Sequence, residues 1–242
     1  MPILAIDTST RQLGTAVIDG DRLLSSYALL VDYPHAVELP DAVARVLKSA
    51  GTNLQLLDAI AVDLGPGSFT GLRIGLAFVK ALVFSRKTPL IGVPSLDVLA
   101  AGVPYSPQLI CPVLDARQKN VYAALYRASA GQPRRDSDYL LGPIDDVLAR
   151  IKEPTLFLGD GCAVYRERII ERLGAKAQFA PAEFWLPNAA TLARLGRERL
   201  ASGQPDDPAR LVPLYLYPLD CSVRGPDRPT AVLPKPALAP SA

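Results

Sequence analysis

Apolar residues recur along the first fifty positions with two different periods, and each period predicts a different kind of element. Short apolar or β-branched runs, separated by an Asp-Thr-Ser-Thr step and an Asp-Gly step, are typical of strands joined by tight turns. From His35 to Ala50 the apolar side chains return every three or four residues and Gly51 follows, which predicts an amphipathic helix. Three strands are predicted before that helix, at residues 3–6, 14–18 and 22–30.

The same patterns continue to residue 103 and complete a first unit. Residues 58–64 form an apolar run that Gly65-Pro66-Gly67 ends, and Thr70 is a suitable N-cap for a following helix. Strands are predicted at 58–64 and 90–93, and helices at 70–86 and 95–101. The alternation of strands and helices predicts an α/β fold, in which a mixed sheet is flanked by helices.

A second unit of similar layout follows Pro104. The polar stretch 131–138 is typical of a loop, and five prolines after Val223 indicate an unpacked tail. The predicted domains are residues 1–103, a smaller domain at 104–222, and a Pro-rich tail at 223–242. Strands of the second domain are predicted at 109–114, 121–127 and 155–158, and helices at 163–173 and 189–200.

Composition excludes several classes of protein. The chain is 49% hydrophobic, which allows a proper core, and its 26 basic and 24 acidic side chains leave a formal charge of +2. A protein that binds nucleic acid without a partner usually has a marked basic excess, so this near balance of charge argues against that class. Cys111, Cys162 and Cys221 lie far apart without metal-ligand spacing, which favours reduced thiols. Without a signal peptide or an uninterrupted apolar span, the chain is expected to be cytoplasmic, with no membrane contact.

Asp7, Thr8 and Ser9 follow the first predicted strand. At such a strand end the aspartate carboxylate could hold a hydrated metal, and the small hydroxyls could donate hydrogen bonds to phosphate oxygens. The alternative is a turn in which these side chains bond their own backbone.

The glycine-rich segment from Gly65 to Arg73 precedes an unusually apolar helix. It fits neither the dinucleotide fingerprint nor the P-loop, because it ends in Gly-Leu-Arg rather than Gly-Lys-Ser/Thr. Gly71 and Gly75 lie one helical turn apart and allow another backbone to come close. Such a helix is buried in the monomer or covered by a partner, and the sequence leaves both alternatives open.

Two further strand ends carry candidate residues. Asp115, Ala116 and Arg117 follow one strand of the second domain, and Gly159-Asp160-Gly161 follow another. Together with Asp7 they could form the phosphate loops and adenosine contact of an ATP cleft, while separately each is an ordinary turn. His35 is the single histidine, so a histidine-pair metal site is excluded, and a surface position at a helix start is expected for it.

Four segments together resemble a known family. They are residues 3–10, 58–76, 91–96, and 112–117 followed by 121–126, and they are similar to the TsaB (YeaZ) family of bacterial tRNA threonylcarbamoyladenosine biosynthesis proteins. The match is specific from residue 3 to about 126 and looser to Tyr217, where the family's Tyr-Leu-Arg is replaced by Tyr215-Leu216-Tyr217. The Pro-rich tail has no counterpart in the family.

The resemblance implies an actin-like, sugar-kinase (ribonuclease H-like) fold of two related domains. It also implies a scaffold and activator that pairs with a catalytic paralogue, TsaD, and works with an ATPase, TsaE. That complex transfers a threonylcarbamoyl group to the adenosine beside the anticodon, so tRNA would be reached through the complex. A homodimer is expected when the partner is absent, and no cofactor is expected, with weak nucleotide binding left open.

The resemblance further implies that catalytic residues are missing. The catalytic paralogue holds its metal with a His-x-x-x-His pair, and Ser95 and Leu99 stand at the equivalent positions here. Neither side chain replaces an imidazole ligand, so we expect no catalytic residue, no metal and no peptidase activity.

The family's dimerisation face maps onto the helices predicted at 35–50 and 71–86. The expected interface residues are Leu39, Val43, Gly71, Ile74, Gly75, Phe78 and Leu82, and the expected vestigial nucleotide cleft comprises Asp7, Thr8, Ser9, Asp115, Arg117, Gly159 and Gly161. The competing hypothesis is a small ATP-dependent phosphotransferase or ATPase of the same fold, which would use Asp7, Asp115 and Gly159–Gly161 around ATP.

Overall fold

The computed structural model describes residues 1–32, 35–84, 86–129, 131–203, 205–217 and 232–233. The strands are β1 Pro2–Asp7, β2 Gln12–Asp19, β3 Arg22–Leu30, β4 Ala59–Asp63, β5 Leu90–Val93, β6 Leu109–Asp115, β7 Asn120–Ala123, β8 Tyr126–Ser129, β9 Gln132–Arg135, β10 Tyr139–Pro143, β11 Thr155–Leu158, β12 Ala177–Phe179 and β13 Val232–Leu233. The α-helices are α1 Leu39–Ser49, α2 Phe69–Phe84, α3 Ser95–Ala101, α4 Ile144–Leu148, α5 Gly161–Leu173 and α6 Ala189–Ala201.

The chain divides into two compact units, and the first is not continuous in sequence. It comprises Met1–Gly102 together with Leu186–Leu214, while the second comprises Val103–Trp185 and the described residues from Tyr215 onward. The sequence-based division assigned all of 104–222 to one domain and differs here. The reason is that Leu192 and Ala193 of α6 are buried against the sheet of the first unit. The expected tail at 223–242 lies outside the described residues except for β13, which pairs with β10.

The first unit is built on a five-stranded sheet in the order β3-β2-β1-β4-β5. β1, β2 and β3 are antiparallel neighbours, whereas β4 and β5 run parallel to β1. Ile6 pairs with Val62 across β1 and β4. The residues that follow, Asp7 and Asp63, therefore leave the sheet side by side.

Both faces of this sheet are covered, which explains why its central strands are continuous apolar runs. Alternate residues of β1 point to opposite faces: Leu4 and Ile6 pack with α1 and α2, and Ile3 and Ala5 pack with α6. A Cβ on Gly196 of α6 would lie only 2.7 Å from the Ala61 Cβ.

The free edge of β5 is closed by residues from late in the chain. The Asp206 N–H donates to the Leu90 carbonyl oxygen at 2.8 Å, and the Asp206 carboxylate accepts from the Gly92 N–H at 2.8 Å. The Arg199 guanidinium donates to the Gly92 carbonyl oxygen. Backbone groups that would otherwise form an exposed sheet edge are thus satisfied.

The second unit has a mixed sheet in the order β12-β11-β6-β7-β10-β13, with the β8–β9 hairpin attached beside β6. The strand expected at 121–127 is two strands, β7 and β8. The loop expected at 131–138 contains β9, so that expectation was wrong. Alternate residues of β9 are exposed, and its polar side chains gave no apolar signal. β10 and the short α4 were missed.

Helix starts also differ slightly from expectation. α1 begins at Leu39 rather than His35, with Pro40 in its first turn, where proline is tolerated because those N–H groups have no helical partner. Among the described helices, none combines the length and apolar character needed to cross a bilayer.

Candidate functional site

The turn between β1 and β2 lies beneath the start of α2. Thr8 and Ser9 are each 1% exposed. The Thr8 hydroxyl donates to the Gly71 carbonyl oxygen at 2.8 Å, and the Ser68 N–H donates to the Ser9 carbonyl oxygen at 2.6 Å. These two side chains, which were expected in a nucleotide cleft, are buried by the protein's own helix.

Glycine is required at this contact because the backbones approach closely. A Cβ on Gly71 would lie 2.1 Å from the Thr8 carbonyl oxygen, and one on Gly67 would lie 2.2 Å from the Ser9 carbonyl oxygen. A Cβ on Gly75 would lie 2.2 Å from the Thr8 hydroxyl oxygen. The glycine spacing along α2 therefore serves a contact within the first unit.

Asp7 and Asp63 form a buried pair of carboxyl groups at the ends of β1 and β4. Asp7 is 0% exposed and Asp63 is 1% exposed. Asp7 Oδ1 accepts from the Ser9 N–H at 2.8 Å, which is the turn-type bond considered above. Asp63 Oδ1 accepts from the Gly65 N–H at 2.7 Å and from the Ser95 hydroxyl at 2.5 Å. The Oδ2 atoms of both residues, and Ser9 Oγ, have no hydrogen-bond partner among the described residues.

Burial raises the pKa of both carboxyl groups. The pKa of Asp7 rises from 3.8 to about 6, mainly because the buried carboxyl group loses solvation. Its hydrogen bonds with Ser9 act in the opposite direction and lower the pKa. The pKa of Asp63 lies well above its usual range, first because of burial and then because of the neighbouring Asp7 charge. The Ser9 hydroxyl lowers both pKa values through its proximity, although Ser9 Oγ does not reach full hydrogen-bond geometry.

Ser95 and Leu99, at which the resemblance expects a histidine pair to be replaced, have internal roles. Ser95 is buried and bonds Asp63, and Leu99 lies in the core at 2% exposure. His35, expected on the surface, is buried at 6% exposure, with its Nε2 atom 2.8 Å from the Thr10 carbonyl oxygen. That hydrogen bond places the ring against the β1–β2 turn, so the surface prediction was wrong.

In the second unit, Asp115 is the last residue of β6, and Asp160 follows the neighbouring parallel strand β11. Asp160 Oδ1 accepts from the Asp115 N–H at 3.0 Å, and Asp115 Oδ1 accepts from the Arg117 N–H at 3.0 Å. Burial raises the pKa of Asp160, with the Asp115 charge as a further raising cause. The sequence-predicted residues Asp115 and Arg117 thus share a network with Asp160.

The glycines at 159 and 161 are explained by the same two strands. Gly159 has φ +105°, and a Cβ there would lie 2.2 Å from the Val113 carbonyl oxygen. A Cβ on Gly161 would lie 2.8 Å from Val113 Cγ1. Both glycines let the turn before α5 pack on the backbone of β6.

The turn between β6 and β7 contains three consecutive residues in the left-handed region. Arg117, Gln118 and Lys119 have φ values of 65°, 50° and 64°, and all three are exposed. The Tyr217 hydroxyl donates to the Ala116 carbonyl oxygen at 3.2 Å and accepts from the Asn120 side-chain amide at 3.3 Å. Tyr217, the departure from the family pattern, therefore braces a strained turn.

The expected interface residues divide by burial. Leu39, Val43, Gly71 and Gly75 are buried within the first unit. The half-buried Ile74, Phe78 and Leu82 border exposed apolar side chains on the outer face of α2. We call this surface the α2 strip; its members are Phe69, Ile74, Ala77, Phe78, Ala81, Leu82 and Phe84.

Two of these side chains are strongly exposed. Phe69 is 55% exposed beneath the Arg73 guanidinium, which lies 3.8 Å from its ring centroid, and Phe84 is 90% exposed. The α2 sequence contains no acidic residue. The strip is therefore apolar with a basic border, a composition suited to contact with another protein surface.

Asp63 was missed as a site residue by sequence reasoning. A signal was available: an aspartate directly following the apolar run 59–62, in a strand predicted to be buried. Its pairing with Asp7 depended on the strand order and register, which the sequence did not provide.

Comparison with known proteins agrees with this architecture. The family model for TsaD, tRNA N6-adenosine threonylcarbamoyltransferase, matches residues 30–218. The tRNA threonylcarbamoyladenosine biosynthesis protein TsaB of Bacillus subtilis is 36% identical over 219 residues, covering 89% of this chain and 94% of that protein.

Solved structures give the fold. YeaZ from Pseudomonas aeruginosa has a TM-score of 0.76 at 30% identity, covering 89% of this chain and 99% of that one. Component A of (R)-2-hydroxyglutaryl-CoA dehydratase from Acidaminococcus fermentans, with a TM-score of 0.50 at 9% identity, covers 83% of this chain and 99% of that one, and supports the fold alone. The fold is thus of the actin-like, sugar-kinase class, and the chain belongs to the TsaB (YeaZ) family.

Proposed function

We propose that this chain is a non-catalytic scaffold subunit in the biosynthesis of threonylcarbamoyladenosine in tRNA. In this proposal it pairs with a TsaD-like catalytic paralogue, works with a TsaE-like ATPase and reaches tRNA through the complex in the cytoplasm. The names of its relatives, such as the Bacillus subtilis TsaB, supply the pathway.

The α2 strip is the observation that carries the scaffold role. Phe69 and Phe84 are exposed on a helix that contains no acidic residue. Exposing these apolar rings to water is unfavourable in free energy unless another protein surface covers them. Because a TsaD model matches most of the chain, a TsaD-like protein is expected to have a corresponding helix. Two such helices can pair in a pseudo-symmetric heterodimer, or symmetrically in a homodimer when the paralogue is absent.

The internal use of the expected cleft residues supports a role without catalysis of its own. Thr8 and Ser9 are buried under α2, and Asp7 is bonded to its own turn, so these side chains do not face an open phosphate site. A phosphotransferase also needs a carboxylate base placed for its acceptor. A titration with ATP and magnesium tests this directly: tight binding with turnover would instead support the kinase hypothesis.

The test of the scaffold role uses Ala77→Arg, which places a bulky charge in the middle of the exposed strip without touching the Thr8 contact. Gly75→Arg is unsuitable, because Gly75 faces Thr8 and the variant would disturb the fold. We expect Ala77→Arg to abolish co-purification with the TsaD-like protein and the threonylcarbamoylation that depends on both. Ala163→Arg, at an exposed position on α5, is the matched control and should retain both. Unchanged pairing in Ala77→Arg would place the partner elsewhere.

A further inference from the structure

The Asp7–Asp63 pair has an unusual distribution of hydrogen bonds. In each carboxyl group, Oδ1 accepts from nearby donors while Oδ2 has none among the described residues. Two ionised carboxylates cannot supply a donor to each other. A proton on one of these Oδ2 atoms would turn that atom into a donor and remove one of the two adjacent charges.

The arginines of α6, which packs on the sheet that carries the pair, are engaged with other carboxylates. Arg194 pairs with Glu198, Arg197 with Asp21, and Arg199 with Asp206. Burial and then the Ser9 N–H and hydroxyl act on the pKa of Asp7. Burial, the Asp7 charge, the Ser95 hydroxyl, the Gly65 N–H and the Ser9 hydroxyl act on the pKa of Asp63.

The other elements around the Asp7–Asp63 pair contribute polar groups, which do not neutralise its charge. β2 contributes the buried Thr15, and α3 contributes Ser95 and, farther round the helix, the half-buried Asp97. The His35 ring bonds the Thr10 carbonyl oxygen, and Arg73 of α2 lies over Phe69 on the exposed side. Among the described residues no cation acts on the pKa of either carboxyl group. Two adjacent buried negative charges are too costly under these conditions, so one carboxyl group must stay neutral.

We propose that Asp7 and Asp63 hold one proton between them at neutral pH, and that this proton clamps the start of α2 onto the β1–β2 turn. Asp7 begins the turn whose Thr8 and Ser9 atoms bond Gly71 and Ser68. Asp63 begins the loop that leads into α2 through Gly65. Repulsion between the two carboxylates would therefore separate the two sides of the same contact.

The sign of the pH dependence follows from the direction of the pKa shifts. Both folded-state pKa values are raised, so the folded protein keeps protons that the unfolded chain has released. The stability contribution of the pair is full below about pH 4 and is lost as the pH rises from there through the folded values, a loss that for Asp7 is nearly complete above its folded pKa of about 6. The shift of Asp7 alone corresponds to an increase of about 50-fold in the unfolding equilibrium constant between pH 4 and 7.

The decisive variant is Asp63→Asn, whose amide keeps an acceptor oxygen for Gly65 and Ser95 and provides a permanent donor in place of the proton. Chemical unfolding from pH 4 to 9 should show a pH dependence at least about tenfold smaller than in the unaltered protein. The amides at the start of α2 should exchange faster above pH 8 in the unaltered protein than in the variant, after correction for the intrinsic rate. The control is Asp58→Asn, which changes an exposed carboxylate directly before β4 and should behave like the unaltered protein.

Infrared spectroscopy tests the proton itself and does not require the variant to fold. At pH 7 the unaltered protein should show the carbonyl band of a protonated carboxylic acid. Asp58→Asn should retain the band and Asp63→Asn should lose it. Absence of the band in the unaltered protein, or equal pH dependence in Asp63→Asn, would overturn the proposal.

Discussion

The Tyr217 hydroxyl lies 3.2 Å from the Ala116 carbonyl oxygen and joins the end of the described segment 205–217 to the β6–β7 turn. The same hydroxyl accepts from Asn120, and the Tyr217 ring meets Tyr122 edge-on at 6.1 Å between centroids. The Tyr217 side chain thus fixes a turn of three consecutive residues with positive φ.

Removing that hydroxyl should weaken the second unit modestly. Tyr217→Phe keeps the ring contact but loses both hydrogen bonds, which we expect to cost about 0.5–1.5 kcal/mol of unfolding free energy. Chemical denaturation measures the loss. Tyr105→Phe removes a hydroxyl from a tyrosine that is 85% exposed and should change stability far less. Equal effects in the two variants would mean that the bond to Ala116 contributes nothing.

The strain in the same turn can be relieved at Lys119. Its φ of 64° is unfavourable for a residue with a Cβ, whereas glycine adopts it readily. Lys119→Gly should be more stable than Lys119→Ala by about 1 kcal/mol, because alanine removes the charge but keeps the Cβ. The pair of variants separates strain from charge, and a more stable alanine variant would contradict the strained conformation.

The contact between the start of α2 and the β1–β2 turn should tolerate no side chain at Gly71. Alanine favours a helix over glycine by about 0.5–1 kcal/mol, yet its Cβ would meet the Thr8 carbonyl oxygen at 2.1 Å. The clash should dominate, and we expect a net loss of about 1–3 kcal/mol in thermal or chemical unfolding. Thr70→Ala, at the exposed neighbouring position, is the control and should lie within about 0.5 kcal/mol of the unaltered protein.

Cys111 and Cys162 should be inert thiols in the folded protein. Both are fully buried, and burial raises the pKa of Cys162 to about 12 and that of Cys111 further. Since the thiolate is the reactive form, pulse alkylation at pH 8 should label both at least about 100-fold more slowly in native protein than in denaturant. Peptide mass spectrometry measures labelling at the two cysteines separately. Rapid labelling of Cys111 in the native protein would contradict the prediction and show that the core of the second unit opens easily.

The sequence predicted the elements of the first unit well because its central strands are buried on both faces. Residues 90–93 and 95–101 have the bounds expected, and α2 starts one residue before the expected N-cap. In the second unit β9 and β10 were missed. β9 carries Gln132, Arg134 and Arg135 on a partly exposed hairpin, so hydrophobic periodicity could not reveal it.

Site prediction was limited by what a linear pattern can specify. The spacing of Gly71 and Gly75 indicated a close backbone approach, but only the fold identifies Thr8 as the neighbour. The pairing of Asp7 with Asp63 likewise depends on the parallel register of β1 and β4. The sequence indicated which residues have special local chemistry. Which residue each of them contacts depends on the strand order and register of the fold.

The late position of α6 has a consequence for how the protein is made. The sheet face that carries Ile3, Ala5 and Ala16 is covered by a helix that begins only at Ala189, after the whole of Val103–Trp185. On the ribosome, this face therefore emerges long before its cover, while the intervening unit can already assemble its own core. A nascent chain stalled before residue 189 would therefore present an open apolar sheet to chaperones.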